Sequence, residues 1–148
     1  MPNTAGLGKI GEDQAAAALE SAGMKIISRN YRSKYGEIDI IAIDGETVVF
    51  VEVKAWSFYG MEDLQYSIDA KKQHKIIKTA NIFLSENRKY SNMAIRFDVI
   101  FVKNNKKPCG FQKSDGFQEF DGFKESAGFQ ESAGFQFTHL ASAFTESV

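Results

Sequence analysis

Four ionisable side chains stand out in this 148-residue sequence: Asp39, Glu52 and Lys54, which a hairpin would gather, and Glu12, from a run upstream of it. Asp39 lies in GEIDIIAI, and Glu52 and Lys54 lie in TVVFVEVK, two β-branched runs separated by the turn residues Asp44 and Gly45. That is the pattern of two strands joined by a tight connection. With a four-residue loop, Ile43 pairs with Val48 and Asp39 falls opposite Glu52, where Cβ atoms lie about 4.5–5.5 Å apart. Two like charges at that distance repel unless a cation intervenes. Carboxylate oxygens suit Mg²⁺ or Mn²⁺, and a divalent ion cancels the repulsion. The plainer alternative is a solvated charge network at an exposed strand end. Against it stands the apolar character of both strands, which argues for burial, where charges are costly without a partner or a metal.

The elements that must position these groups follow from periodicity. Strand side chains alternate between faces, so Ile38, Ile40 and Ala42 should share one face with Val49, Val51 and Val53. The other face then carries Glu37, Asp39, Ile41 and Ile43 beside Phe50, Glu52 and Lys54, with Glu37 in reserve as a ligand. The alanine-rich run GEDQAAAALESA, residues 11–22, predicts a helix closed by Gly23. On it Glu12, Ala15, Ala16 and Leu19 share a face, so Glu12 begins the side that packs on the sheet. There it either favours the positive helix N-terminus or completes the metal site. Apolar Ile76, Ile77, Ala80, Phe83 and Leu84 predict an amphipathic helix over residues 67–87. Gln73 precedes them on the same stripe, placed for packing or for reaching the site or a phosphate. Lys71, Lys75 and Lys78 mark the outer face, a solvated stripe or a set of phosphate contacts. With KIISRNY (25–31) and IRFDVIFV (95–102) as further strands, the order of elements implies an α/β fold with a mixed sheet flanked by helices.

Composition sets the frame. Hydrophobic residues at 43% and charged residues at 25% fit one ordinary globular domain. No apolar run approaches a membrane span and no signal-like start is present, so a cytoplasmic location and no membrane association are expected. A single cysteine, Cys109, excludes a disulfide framework or a cysteine-based zinc cluster. Residues 1–108 hold 16 Lys and Arg against 13 Asp and Glu, a balance of +3, whereas residues 109–148 hold 2 against 6, a balance of −4. The mildly basic front part is compatible with a polyanion partner. Gly6, Gly8 and Gly11 formally spell G-x-G-x-x-G, but only five residues precede Gly6, too few for the strand that a dinucleotide site needs. These glycines are expected to be a flexible lead-in to the first helix. Beyond Pro108 a Gly-Phe pair recurs at 110, 116, 122, 128 and 134, a strict period of six. The expected organisation is therefore an α/β domain over 1–108, a flexible low-complexity repeat over 109–136, and a docked segment over 137–148. In the last, the spacing of Phe137, Leu140, Ala141 and Phe144 predicts a helix.

The series GKIGEDQAAAALES, RNYRSKYGEIDIIAIDG, VVFVEVK, KKQHKIIKTA and RFDVIFV, in this order within residues 6–102, resembles the YraN-like family of bacterial proteins. GEID and VEVK are also similar to the D and E-x-K elements of the PD-(D/E)xK nuclease superfamily, and the order Glu12, Asp39, Glu52, Lys54 resembles archaeal Holliday-junction resolvases. The resemblance implies a restriction-endonuclease-like α/β core and a metal-dependent endonuclease or related phosphodiesterase acting on DNA, branched DNA included. It implies that Asp39 and Glu52 hold one or two Mg²⁺ or Mn²⁺ ions, with the Val53 carbonyl as a further ligand and Glu12 assisting. Lys54 would position or help deprotonate the attacking water and stabilise charge on the phosphate. Lys72, Gln73 and Arg32 are the expected substrate contacts, and a homodimer is expected by analogy. Ile38 stands where the superfamily name has proline, and Trp56 where the family often has arginine, a change that bears on substrate binding. FTHLASAF, residues 137–144, is similar to the family's terminal segment, so the hexads read as an insertion before it. Two other readings remain open: a nucleic-acid-binding protein that keeps the fold without cutting, and an interaction protein whose phenylalanine repeats bind another protein.

Overall fold

The computed structural model describes residues 4–56, 68–104, 128–132 and 135–144. Helix α1 (Thr4–Ser21) is followed by β1 (Lys25–Ser33), β2 (Gly36–Asp44) and β3 (Thr47–Trp56), then α2 (Ala70–Glu86), a 3₁₀ turn (Arg88–Tyr90), β4 (Ala94–Asn104), β5 (Gly128–Ser132) and β6 (Phe135–Phe144). The six strands form one sheet in the order β1-β2-β3-β4-β6-β5. β3 and β4 run parallel and every other neighbouring pair is antiparallel. A parallel pair needs a crossover, and α2 lies in the connection from β3 to β4. The fold is thus mixed α/β, as the order of elements predicted. Among the described residues no helix is long and apolar enough to cross a membrane.

The two helices cover opposite faces. Ala15, Ala16 and Leu19 of α1 pack on Ile40, Val49, Val51, Ile100 and Val102. Ile76, Ala80 and Phe83 of α2 pack on Ile38, Ile41, Val48, Phe50 and Phe97. The alternation of Val48 and Phe50 with Val49 and Val51 is what a strand buried on both sides requires. Aromatic rings reinforce the α2 side: Phe83 meets Phe50 edge-on with centroids 6.0 Å apart, and Phe50 stacks on Phe97 at 5.5 Å.

Three expectations change. The glycines of residues 6–11 are not a flexible lead-in, because α1 runs from Thr4 and contains all three. Glycine costs about 1 kcal/mol relative to alanine in a helix, and burial of the Ala15, Ala16 and Leu19 face offsets it. The helix closes as foreseen: Gly23 has φ 92°, and Met24 N–H returns to the Leu19 carbonyl at 3.0 Å. Ile38 faces α2 rather than sharing the α1 side with Ile40. Strict alternation lapses at Asp39, where the β1–β2 pairing passes from Arg29–Ile40 to Tyr31–Ile38 and the residue opposite, Asn30, takes a left-handed φ of 53°.

The third change concerns the C-terminal end. Residues 135–144 are a strand, not a helix, and β5 is built from GFQES of the fourth hexad. The apolar spacing of this segment satisfies a helix, but without β6 the long strand β4 would present an open edge. β6 pairs with it from Phe97 to Asn104, with a bulge between Phe97 and Val99. The hexads over 110–127, expected to be flexible, lie outside the described residues. Asp98, fully buried in β4, fastens the bulge. Its carboxylate accepts from Arg96 Nε and Nη2 at 2.9 and 3.0 Å, lies 2.7 Å from His139 Nε2, and accepts from the Ser142 N–H at 2.9 Å. Burial works to raise the Asp98 pKa, but the contacts with His139, Arg96 and Ser142 outweigh it and hold the group below the ordinary carboxylate value. Phe144 completes the attachment by stacking on Phe97, with centroids 5.0 Å apart.

Candidate functional site

The hairpin register is the one expected from the Asp-Gly turn: Ile43 pairs with Val48 and Ile40 with Val51. The paired residues end there, one step short of Asp39 and Glu52. Asp39 Oδ2 instead accepts the Val53 N–H at 2.8 Å, so a side chain takes the place of the next ladder bond. The two strands part around this carboxylate, and a shallow cleft of about 100 Å³ opens there, lined by Gly36, Glu37, Asp39, Glu52, Lys72, Lys75 and Ile76.

Asp39 and Glu52 are both buried, 7% and 6% exposed, although each is a carboxylate. Burial pushes the Asp39 pKa up to about 8, and the negative charges of Glu52 and, more weakly, Glu12 add to the effect while the Val53 N–H opposes it. Half-buried Glu12 lies about two turns inside α1 rather than at its N-terminus, which removes the helix-end reading, and it belongs to the electrostatic surroundings of the pair. Glu52 is answered by two ammonium groups: Lys54 Nζ lies 3.4 Å from Glu52 Oε1, and Lys72 Nζ contacts the same oxygen. Burial lowers the Lys54 pKa, with the neighbouring Lys72 contributing in the same sense. Burial also acts against charge on Lys72, but contact with Glu52 prevails and its pKa rises.

The remaining expected residues fall at or near the cleft in different ways. Glu37 lines it but is exposed and pairs with Arg32, whose Nε lies 3.2 Å away; the Arg32 side chain is 78% exposed. Gln73 is absent from the lining residues, and its amide donates to the Ile68 carbonyl at 3.1 Å across the start of α2. That helix begins at Asp69, whose side chain accepts the Lys72 N–H at 2.8 Å. Lys72 lies four residues before buried Ile76 and Lys75 four before buried Thr79, so the packing of that stripe on the sheet turns Lys72 and Lys75 rather than Gln73 toward the cleft. Lys75, assigned by periodicity to the outer face, is thus a cleft residue. Sequence reasoning also passed over Asp98 and His139, although a lone aspartate in the apolar run IRFDVIFV is a signal that a buried charge needs partners.

In chemical terms the arrangement offers closely placed carboxylate oxygens, one of them held near neutrality by its surroundings, beside two amines. Among the described residues no group of three or more His, Cys, Asp or Glu side chains is disposed to hold a metal. A two-carboxylate set still suits Mg²⁺ or Mn²⁺, which are commonly bound through one or two carboxylates, the remaining positions being filled by water and substrate oxygens. Burial raises the Asp39 pKa most, and the repulsion from Glu52 that adds to it is what a divalent ion would relieve.

Comparison with known proteins gives the chain its relatives. The model of a family described as "Uncharacterised protein family UPF0102" matches residues 11–102. The chain is 47% identical over 98 residues to a UPF0102 protein of Persephonella marina, covering 66% of this chain and 84% of that protein. It is 45% identical over 106 residues to one of Treponema denticola, covering 67% and 82%, and 48% identical over 99 residues to one of Sulfurihydrogenibium, covering 67% and 85%. The matched span holds Glu12, Asp39, Glu52, Lys54 and Lys72 and ends before the hexads. The chain belongs to the UPF0102 family, the YraN-like family that its motifs resemble.

Proposed function

We propose that this protein is a metal-dependent phosphodiesterase of the restriction-endonuclease-like type that hydrolyses nucleic acid, with DNA, branched DNA included, as the expected substrate. The observation that supports the reading is the buried pair Asp39 and Glu52 at the point where β2 and β3 part, with Lys54 and Lys72 on the same oxygen of Glu52. Two buried carboxylates side by side weaken a fold, and their charge is put to use when they hold a cation. Asp39 and Glu52 would hold Mg²⁺ or Mn²⁺, with the Val53 carbonyl as a further oxygen and Glu12 supplying negative charge behind them. Such an ion, when bound, lowers the pKa of a bound water and polarises a phosphate oxygen.

The chain's own groups carry the rest. Lys54, whose pKa burial lowers, would position the attacking water and, where its Nζ is unprotonated, take a proton as the water oxygen bonds to phosphorus. The bond from phosphorus to the leaving sugar oxygen breaks, and that oxygen collects a proton from solvent. Lys72, held cationic by Glu52, and Lys75 stand at the cleft to bind the phosphate and stabilise its growing charge. Arg32 and Gln73 would serve substrate binding rather than the reaction.

One observation favours a non-catalytic nucleic-acid-binding protein instead: Lys54 and Lys72 already balance the charge of Glu52, and no third ligand of the usual type joins the pair among the described residues. A nuclease assay with Mg²⁺ or Mn²⁺ on single-stranded, duplex and branched DNA separates the two. Cutting by the wild type that is lost in Glu52→Ala and Lys54→Ala supports the phosphodiesterase. Binding without cutting of any substrate by the wild type assigns the fold to binding alone.

A further inference from the structure

Next to the cleft lies a feature that the two carboxylates do not use. The turn between β1 and β2 carries Tyr35, 39% exposed, with two ammonium groups over one ring: Lys34 Nζ at 5.1 Å and Lys78 Nζ at 4.9 Å from the centroid. Lys34 and Lys78 are both exposed, and neither forms an ion pair among the described residues. Like charges brought to a single ring repel, and an exposed cation–π contact is weak compensation. An anion bound beside these amines relieves the conflict.

The turn is held in place. Ser33 Oγ lies 2.8 Å from Thr79 Oγ1, the Tyr35 N–H donates to Ser33 Oγ at 3.1 Å, and Gly36 packs closely enough on α2 that a Cβ there would lie 3.6 Å from Lys75 Cβ. Because Gly36 and Lys75 both line the cleft, the aromatic ring stands one residue from the cleft's rim. Lys75 provides a third cation between the ring and the carboxylates. A flat ring beside a short track of cations is what an unpaired nucleotide recognises: the base stacks on the ring and the flanking phosphates meet the amines. A base inside a duplex has both faces covered by its neighbours and gains nothing from Tyr35.

We propose that Tyr35, with Lys34, Lys75 and Lys78, forms a stacking platform for an unpaired nucleotide, so that single-stranded nucleic acid is the segment led to the Asp39–Glu52 cleft. When the base takes the ring face, the two amines move to the adjoining phosphates. The proposal deepens the phosphodiesterase reading and rests on it only for the destination of the strand, because binding is measured apart from hydrolysis.

The test uses the full chain in the presence of a chelator, with the fluorescence anisotropy of a labelled oligothymidylate compared with that of a duplex. Tyr35→Phe keeps single-strand affinity. Tyr35→Ala loses about tenfold, the scale of one base–aromatic stack, with duplex affinity and the thermal melt unchanged. Lys34→Ala combined with Lys78→Ala flattens the salt dependence of single-strand binding by roughly 0.7 in log–log slope per phosphate contact removed. Equal binding by Tyr35→Ala and wild type, an equal loss on duplex, or no single-strand binding by the wild type overturns the platform. Tyr35-dependent binding without cutting of any substrate when Mg²⁺ is restored leaves the platform standing and removes the phosphodiesterase.

Discussion

Replacing Asp98 by alanine should loosen the C-terminal edge of the sheet, and the structure sets the size of the effect. Asp98 is fully buried and meets Arg96, His139 and the Ser142 N–H. Breaking a buried ion pair by removing one partner costs about 3–5 kcal/mol, mostly from the charge left behind. Arg96 is 22% exposed along its side chain and keeps Asp44 at 3.2 Å, and His139 is 24% exposed. Water and Asp44 thus recover part of the loss, which places the cost near the lower bound, about 3 kcal/mol, or a fall in melting temperature of roughly 10 °C. The pH dependence has a definite sign. A carboxyl whose folded pKa is lowered contributes stability that is present above its unfolded value and lost as pH falls through the folded one. The gap between wild type and Asp98→Ala should therefore be full at neutral pH and narrow below about pH 4, the region of the unfolded carboxyl. Urea unfolding at neutral and acidic pH measures it, and hydrogen exchange should report β6 amides opening before those of β3. A neutral-pH loss below about 1 kcal/mol, smaller than one hydrogen bond to a charged group, would show that Asp98 does not carry this edge.

Three further outcomes are expected. With chelator present, Asp39→Asn should be more stable than wild type by about 2–4 kcal/mol at pH 7, because the amide mimics the protonated carboxyl. Since the Asp39 pKa is raised to about 8, its contribution is lost as pH climbs from about 4 toward 8, so the advantage of the variant should grow across that range in urea melts, and a constant or reversed difference refutes it. Lys54→Met should lower kcat roughly 100-fold with KM nearly unchanged, as expected for loss of a proton-transfer group, whereas a change confined to KM would make Lys54 a binding residue. Phe144→Ala should cost about 2 kcal/mol, less than a fully buried phenylalanine because Phe144 is only half-buried, and a thermal melt within error of wild type would remove the Phe97–Phe144 stack from the account of β6 docking.

The hairpin was readable because its signals are local: β-branched runs, an Asp-Gly turn, and an even loop that fixes which residues oppose each other. The pairing of Ile43 with Val48 and the helix faces of Leu19 and Ile76 follow from period alone. What resisted reading depends on partners distant in sequence. Nothing near Ile38 announces that Asn30, across the sheet, adopts a left-handed conformation and shifts Ile38 to the α2 side. In the same way, Phe137, Leu140 and Phe144 suit a helix until the free edge of β4 is known to be available. The carboxylate pair was legible; its lysine partners were legible only in part, because Lys72, Gln73 and Lys75 all lie about one turn before the apolar stripe, and only the packing of Ile76 and Thr79 on the sheet selects Lys72 and Lys75 for the cleft.

The outermost strand has an unusual relation to the sequence around it. β5 reads GFQES at residues 128–132, and residues 122–126 read GFKES, differing only by Lys124 in place of Gln130. A six-residue displacement is even and so keeps the same positions toward each side of a sheet. Excising residues 128–133 would join the almost identical hexad GFKESA, residues 122–127, directly to Gly134, leaving β6 with an equivalent neighbour. The rim of this sheet is consequently indifferent to loss of one whole hexad at β5, whereas removing an odd number of residues within that strand would swap the residues on its two sides.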